Sequence, residues 1–349
     1  MLTTAPSLEE IIGQLFLLGF KGESVDPHHP IVRDISRRNL GGVILFDRLL
    51  AQKREQNNIV SPAQVKELVA SLQGYASSPL LVTVDQEGGM VQRLKARTGF
   101  PESASAADMA AGENTTLTSI HAARTASSLQ QVGINWNLAP VVDLDLYPEN
   151  PIIGKLQRSF SSNPEEVVRH AAAWMKEHEK LKVLSCIKHF PGHGSSRSDS
   201  HLGFTDISAS WQEEELTPFR TLIKEEQVDS VMLGHLFHEG LDPRHPTSLS
   251  APVIDTLLRK KLGFEGVVIS DDLQMKAITD NYTIEEAVCL ALAAGIDMLI
   301  IGNNLEYDPG ILQRLIPVII TAVEENRIPE SRIYEAWQRV RKMKERLAV

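Results

Sequence analysis

Short runs that are apolar at nearly every position recur along the chain. They are Leu15–Phe20, Gly41–Phe46, Leu80–Val84, Ile134–Val142, Val183–Phe190, Asp229–His235, Gly266–Ser270 and Met298–Asn303. Unbroken apolarity, without the alternation of a half-exposed strand, suits strands covered on both faces, as in a parallel sheet. Between the runs lie segments with helical spacing, among them Ser61–Gln73, Asn163–Leu181 and Thr283–Gly295. Their openings carry start signals: Ser61 before Pro62, Asn163 before Pro164, and Thr283 three residues ahead of Glu286. Each supplies a capping side chain, with a proline at the first helical position or a capping-box glutamate. Gly295 stands where the third of these helices should stop.

One strand and one helix per roughly 40 residues is the repeat of a TIM-type (β/α)8 barrel. A doubly wound open sheet is the main rival, and it would bring a glycine-rich dinucleotide turn after its first strand. No such turn is present, nor a phosphate loop of the GxxxxGK[ST] type. Without a Pro/Ser/Gly-rich linker or low-complexity tract, residues 1–349 are expected to form a single catalytic barrel domain.

Composition narrows the partners. A formal net charge of -10 argues against a nucleic-acid partner, whose phosphates demand clustered Lys and Arg. A soluble small-molecule or sugar substrate fits better. The longest apolar stretch, Cys289–Gly302, is interrupted by Asp297 and is too short to cross a bilayer, so no membrane association is expected. No basic region precedes the first apolar stretch, unlike a secretory signal, and a cytoplasmic location is the expectation. The two cysteines, Cys186 and Cys289, sit in apolar runs and read as buried reduced thiols.

In a barrel of this kind the active site is built at the C-terminal ends of the strands. Polar residues stand there in number: Asp85, Gln86 and Glu87; Asn137 and Asp143; Lys188 and His189; His235; Asp271 and Asp272; Asn303 and Asn304. The most informative stretch is Lys188-His189-Phe190-Pro191-Gly192-His193-Gly194, followed by Asp199-Ser200-His201. Its histidines suggest a metal site first, but the spacing matches neither HExxH nor the other metal signatures, and no metal or cofactor is expected.

These residues resemble glycoside hydrolase family 3, specifically its β-N-acetylglucosaminidase branch, whose signature is KH(F/I)PGHG, a four-residue spacer and DSH. The likeness runs through nearly the whole chain: Asp85–Arg93 (VDQEGG-x-VQR), Leu138–Leu144, Arg158–Phe160 (RSF) and Ser270–Met275 (SDDLQM). The resemblance implies a retaining hydrolase for terminal β-linked N-acetylglucosamine, with Asp271 as nucleophile and an Asp199–His201 acid/base dyad. It further implies substrate binding by Asp85, Arg93, Arg158, Lys188 and His189, and an aglycone drawn from muropeptide fragments in peptidoglycan recycling. The chemistry is coherent. Retention needs a carboxylate beneath the anomeric carbon and a second group that protonates the leaving oxygen. An imidazole titrating near neutrality, oriented by a neighbouring carboxylate, suits the second role. Met90 departs from the pattern, standing where many relatives carry Arg.

Other readings compete. A family-3 phosphorylase shares a histidine acid/base, a β-glucosidase shares the barrel, and a sugar-binding barrel without catalysis would keep the pocket. Asp272 competes with Asp271, although a role in capping the next helix or loop suits it as well. Trp136 reads as barrel packing, Arg158 on its own as a surface ion pair, and Glu87 as a structural residue beside the Gly88-Gly89 turn. The small polar residues from Gly192 to Ser198 read either as a mobile loop that brings His201 to the sugar only on closure or, equally, as a rigid loop that holds His201 in place permanently. The oligomeric state is not legible.

Overall fold

Each of the apolar runs becomes a strand in the computed structural model, which describes residues 6–112, 114–199, 203–225 and 228–347. The strands are β1 (Phe16–Gly19), β2 (Gly42–Ile44), β3 (Leu81–Val84), β4 (Trp136–Asn137), β5 (Leu184–Phe190), β6 (Ser230–Leu233), β7 (Val267–Asp272) and β8 (Met298–Ile301). They pair in sequence order and in parallel, and β8 returns to β1 with Leu17 opposite Ile300, closing a (β/α)8 barrel. Closure leaves no free sheet edge. The barrel interior and the helix-facing side are both apolar, which is why the runs lack alternation.

The helices start where their caps predict. Ser61 accepts from the Gln64 amide at 3.2 Å and opens Pro62–Tyr75, and Asn163 accepts from Glu165 at 2.9 Å and opens Pro164–Lys180. Thr283 and Glu286 form a reciprocal capping box for Ile284–Ala294, which ends at Gly295 with φ 120°. Trp136 is fully buried and donates to Ser230 Oγ at 3.2 Å across the barrel, so it packs the interior. Both cysteines are buried and free, and burial pushes the Cys186 thiol up to about 12.

The foot of the barrel is tied by charge. Asp297, fully buried at the start of β8, meets Arg259 at 2.5 Å, Arg339 at 3.1 Å and Arg332, and accepts the Val268 amide at 2.9 Å. Three guanidiniums and a backbone donor compensate its desolvation, the condition under which a buried charge is tolerated. Residues at this end serve stability, and the chemistry lies at the other.

Two irregularities mark that other end. In β5, Ile187 faces Val231 while Phe190 faces Leu233; in β7, Ile269 faces Met298 while Asp272 faces Ile300. Each strand carries one more residue than its neighbour over the same interval. Such bulges re-aim side chains, and these two fall at Lys188-His189 and at Ser270-Asp271. Among the described residues no helix is long and apolar enough to cross a membrane.

Candidate active site

Three strand ends, those of β3, β4 and β5, feed one connected set of charges. Asp85, directly after β3, accepts from Lys188 Nζ at 3.0 Å and from Arg93 at 3.3 Å. Lys188 also reaches Glu87 at 2.7 Å, and Glu87 takes Arg158 in a two-pronged pair, Nε and Nη2 both at 2.8 Å. Arg158 Nη2 donates onward to His189 Nε2 at 3.3 Å, so the ring proton sits on Nδ1, which donates to Asp143 Oδ2 at 2.7 Å. Asp143 additionally accepts the His193 amide at 2.8 Å. Three carboxylates thus meet three cations in a region where Lys188 and Asp143 are almost completely buried.

The electrostatics follow from that balance. Burial alone would raise Asp85, Glu87 and Asp143, but Lys188 and Arg93, Arg158 and Lys188, and His189 respectively overcome it, and all three stay below the usual carboxylate range. Burial likewise works against charge on Lys188 and Arg158, yet the facing carboxylates hold both above their ordinary values. The three carboxylates, Lys188 and Arg158 are therefore charged at neutral pH, and the set aims fixed donors and acceptors at whatever enters from solvent. Asp85 and Arg93, each about a fifth exposed, form its open side. Arg93 Nε is buried with no partner among the described residues.

The binding residues expected from sequence, Asp85, Arg93, Arg158, Lys188 and His189, therefore stand in one contiguous network. Arg158 is no surface ion pair. Glu87, read as a turn residue, is the bridge that joins Lys188 to Arg158. The adjacent turn is present too, with Gly88 and Gly89 at φ 108° and 57°. Asp143 was visible only as one strand-end acid among many, and nothing local signals that it would anchor His189. The peptide between Lys188 and His189 is cis, as are those before Pro140 and Pro191.

Asp271 and Asp272 end β7 and diverge in role. Asp272 Oδ1 accepts the amides of Gln274 and Gly302, both at 3.0 Å, and its carbonyl accepts from His235 Nε2 at 3.0 Å. His235 is fixed on its other side by Ser248 Oγ at 2.7 Å. Asp272 is thus committed to loop backbone. Asp271 is only partly buried at the rim, with Oδ1 accepting the Asp272 amide at 2.8 Å. Asn137, Asn303 and Asn304 also serve backbone: Asn304 Oδ1, for example, accepts the Leu50 amide at 3.0 Å.

The loop after β5 differs from its compositional reading over the part that is described. Residues from Gly192 to Ser196 are buried. Asn150 Nδ2 donates to the carbonyls of His193 at 2.8 Å and Gly194 at 3.1 Å, while Glu215 accepts the Gly194 amide at 3.0 Å and Ser195 Oγ at 2.6 Å. A Cβ on Gly194 would stand 1.9 Å from the Leu144 carbonyl oxygen. Small residues are here because backbone passes backbone closely, and the polar ones are consumed in bonds. Arg197 then turns out over the Tyr147 ring, 5.6 Å from its centroid, and Asp199 is partly buried. Ser200 and His201 lie outside the described residues. Among the described residues no group of three or more metal-ligating side chains comes together.

Residues 7–343 match the family described as glycosyl hydrolase family 3 N terminal domain. The chain belongs to glycoside hydrolase family 3. It is 35% identical to a beta-hexosaminidase of Nitrosomonas eutropha over 81% of this chain and 77% of the relative. It is 29% identical to beta-hexosaminidase A of Pseudoalteromonas piscicida over 97% of this chain and 61% of that protein. The solved structure of a glycoside hydrolase family 3 beta-N-acetylglucosaminidase from Paenibacillus sp. str. FPU-7 overlays it with a TM-score of 0.89 and 33% identity, covering 99% of this chain and 63% of the other. The chain therefore spans under two thirds of the length of these last two.

Behind the site of this family 3 barrel lies a neutral support. Asn137 holds the Gln86 backbone from both sides, and Gln86 Oε1 accepts the amides of Arg93 and Leu94, both at 2.9 Å. Asn137 Nδ2 also donates to His178 Nε2 at 3.1 Å, leaving His178 Nδ1 to donate to the Trp174 carbonyl. Burial pushes His178 down to about 4 from an ordinary value of 6.5. A histidine held neutral stabilises the fold fully above its unfolded value, and the contribution is lost as pH falls from 6.5 through 4. Asp34, raised to about 6 by burial, acts in the opposite sense, so the effect needs a variant to isolate it. The stability advantage of wild type over His178→Gln should shrink by about 3 kcal/mol between pH 7 and pH 4 in urea titrations. An advantage independent of pH would mean the imidazole does not titrate as described.

Proposed function

We propose that this chain is a retaining β-N-acetylhexosaminidase that removes terminal β-linked N-acetylglucosamine. The observation that carries the reading is the hydrogen-bonded Asp85–Lys188–Glu87–Arg158–His189–Asp143 network at the C-terminal mouth of a family 3 barrel. Carboxylates accept hydrogen bonds from sugar hydroxyls, and Lys and Arg donate to hydroxyl and N-acetyl oxygens, so Asp85, Arg93, Arg158, Lys188 and His189 are assigned to the bound sugar. The names of the related hexosaminidases support the N-acetylated substrate.

In this reading Asp271 attacks the anomeric carbon while His201, paired with Asp199, protonates the departing glycosidic oxygen. The resulting glycosyl ester is hydrolysed when His201 takes a proton from water, giving overall retention. Asp272, occupied with loop amides, is left out of the chemistry. The natural aglycone is assigned to muropeptide fragments, the setting to the cytoplasm and peptidoglycan recycling, and the whole to one catalytic domain. No metal or cofactor takes part.

A chromogenic N-acetyl-β-glucosaminide assayed beside the matching β-glucoside tests the activity, with the N-acetylated compound expected to be strongly preferred. Equal turnover of the plain glucoside would defeat the assignment. Release of sugar-1-phosphate in phosphate buffer would point to phosphorolysis instead.

A further inference from the structure

Eight of the ten phenylalanines are 8% exposed or less; the remaining two, Phe204 and Phe237, form a pair. Their ring centroids are 5.2 Å apart at 41°, with Phe204 53% exposed over a partly buried Phe237. A Phe left half in water on a chain that buries the others calls for a partner. This pair is also held in place. Phe237 donates its amide to the Thr205 carbonyl at 2.8 Å and accepts the Ile207 amide at 2.9 Å, a short ladder beyond the C-terminal end of β6.

Its location is fixed from two directions. Phe237 follows His235 by two residues, and His235 touches the backbone of Asp272, the neighbour of Asp271. A Cβ on Gly203 would stand 3.7 Å from Asp280 Oδ2, in the segment that follows β7. Along the chain, Phe204 is three residues beyond His201, which places their Cα atoms within about 11 Å at 3.8 Å per residue. The pair therefore stands on the rim of the barrel beside β6 and β7, on the side of Asp271 and three residues along the chain from His201.

We propose that Phe204, backed by Phe237, is the platform of the aglycone subsite, packing against the apolar face of the pyranose ring that leaves. The inference rests on the assignment of Asp199–His201 as acid/base. A group that protonates the glycosidic oxygen stands on the leaving-group side of the scissile bond, so chain continuing from it borders the aglycone. The N-acetylglucosamine being cleaved is served by charged groups from β3, β4 and β5. An aromatic face, by contrast, suits a ring contacted through its C–H face and tolerates variation in what the aglycone carries further out.

Two measurements test the platform. The first compares kcat/KM on N,N'-diacetylchitobiose, which offers a leaving pyranose, with that on N-acetyl-β-glucosaminyl fluoride, which offers none. Phe204→Ala should lower the disaccharide value roughly 10-fold, equivalent to about 1.4 kcal/mol, with fluoride turnover unchanged and Phe204→Trp restoring the disaccharide. The second needs no turnover: wild type should bind a thio-linked N,N'-diacetylchitobiose more tightly than methyl N-acetyl-β-glucosaminide, and Phe204→Ala should erase that advantage. Equal losses on both substrates, or an intact binding advantage in Phe204→Ala, would overturn the proposal; the latter would leave the pair as a contact for some other molecule. Failure of the activity reading would show separately, as wild type that binds these sugars but cleaves none.

Discussion

Asp271→Ala is expected to lower turnover of every glycoside by roughly 10⁴-fold or more while leaving the fold intact. The side chain sits at a partly exposed strand end, where water can replace the bond it accepts from the Asp272 amide. The chemical loss is large because no other carboxylate on β7 is available. Asp272 holds two loop amides and cannot turn away without opening the segment between Gln274 and Gly302. The neighbouring variants should therefore separate cleanly: Asp272→Asn keeps an oxygen for those amides and retains substantial activity, whereas Asp272→Ala should lose stability by about 1–3 kcal/mol. Azide offers a stricter check. In Asp271→Ala it should enter the vacated space and give the α-glycosyl azide from an activated substrate, since the first displacement of a retaining enzyme proceeds from that face. Full activity in Asp271→Ala, or an azide product of β configuration, would remove Asp271 from the nucleophile's role.

The barrel was legible because its signal is local. An interior strand is apolar on both faces whatever its neighbours are, so LLVTV before Asp85 and GVVIS before Asp271 announce themselves, and so do Ser61, Asn163 and Thr283 as helix caps. The strand ends then point to the right rim. What stayed hidden depends on partners far apart in the chain. Glu87 and Arg158 are separated by 71 residues and His189 and Asp143 by 46, so a turn glutamate and one strand-end aspartate gave no local sign of the cations they would meet. The extra residues in β5 and β7 are equally invisible, because a bulge is a relation between two strands. The stretch from Gly192 to Ser196 shows the same limit from the other side. Its composition is that of a loose loop, but Asn150 and Glu215 arrive from elsewhere in the chain to bind it.

The network's dependence on its bridge gives the second large expectation. Glu87→Ala should destabilise the protein by about 3–5 kcal/mol and lower kcat/KM by more than about 100-fold together. Glu87 is the only carboxylate shared by Arg158 and Lys188 within the set, and without it three cations face two carboxylates in a site that water enters poorly. Removing one partner of a buried pair costs more than the pair contributes, because the other charge is left desolvated. Lys188 would still have Asp85 at 3.0 Å, but among the described residues Arg158 would keep only the Ile152 carbonyl and His189 Nε2. A guanidinium held by neutral acceptors drifts, and the His189 ring it orients drifts with it. Glu87→Gln distinguishes charge from shape. It restores one oxygen at the right place but turns an amide N–H₂ toward Arg158 or Lys188, both of which only donate, so stability and activity should fall between wild type and Glu87→Ala. The same logic sets the acid limit. Glu87 is held well below the usual carboxylate range despite its burial, so its contribution is present above its unfolded value near 4.5 and is lost only as pH falls below it. Urea midpoints at pH 7 and pH 4 for the three proteins, beside their kcat/KM, check each step. Wild-type stability in Glu87→Ala at pH 7 would mean that the bridge is incidental and that Asp85 and Asp143 alone hold the cations.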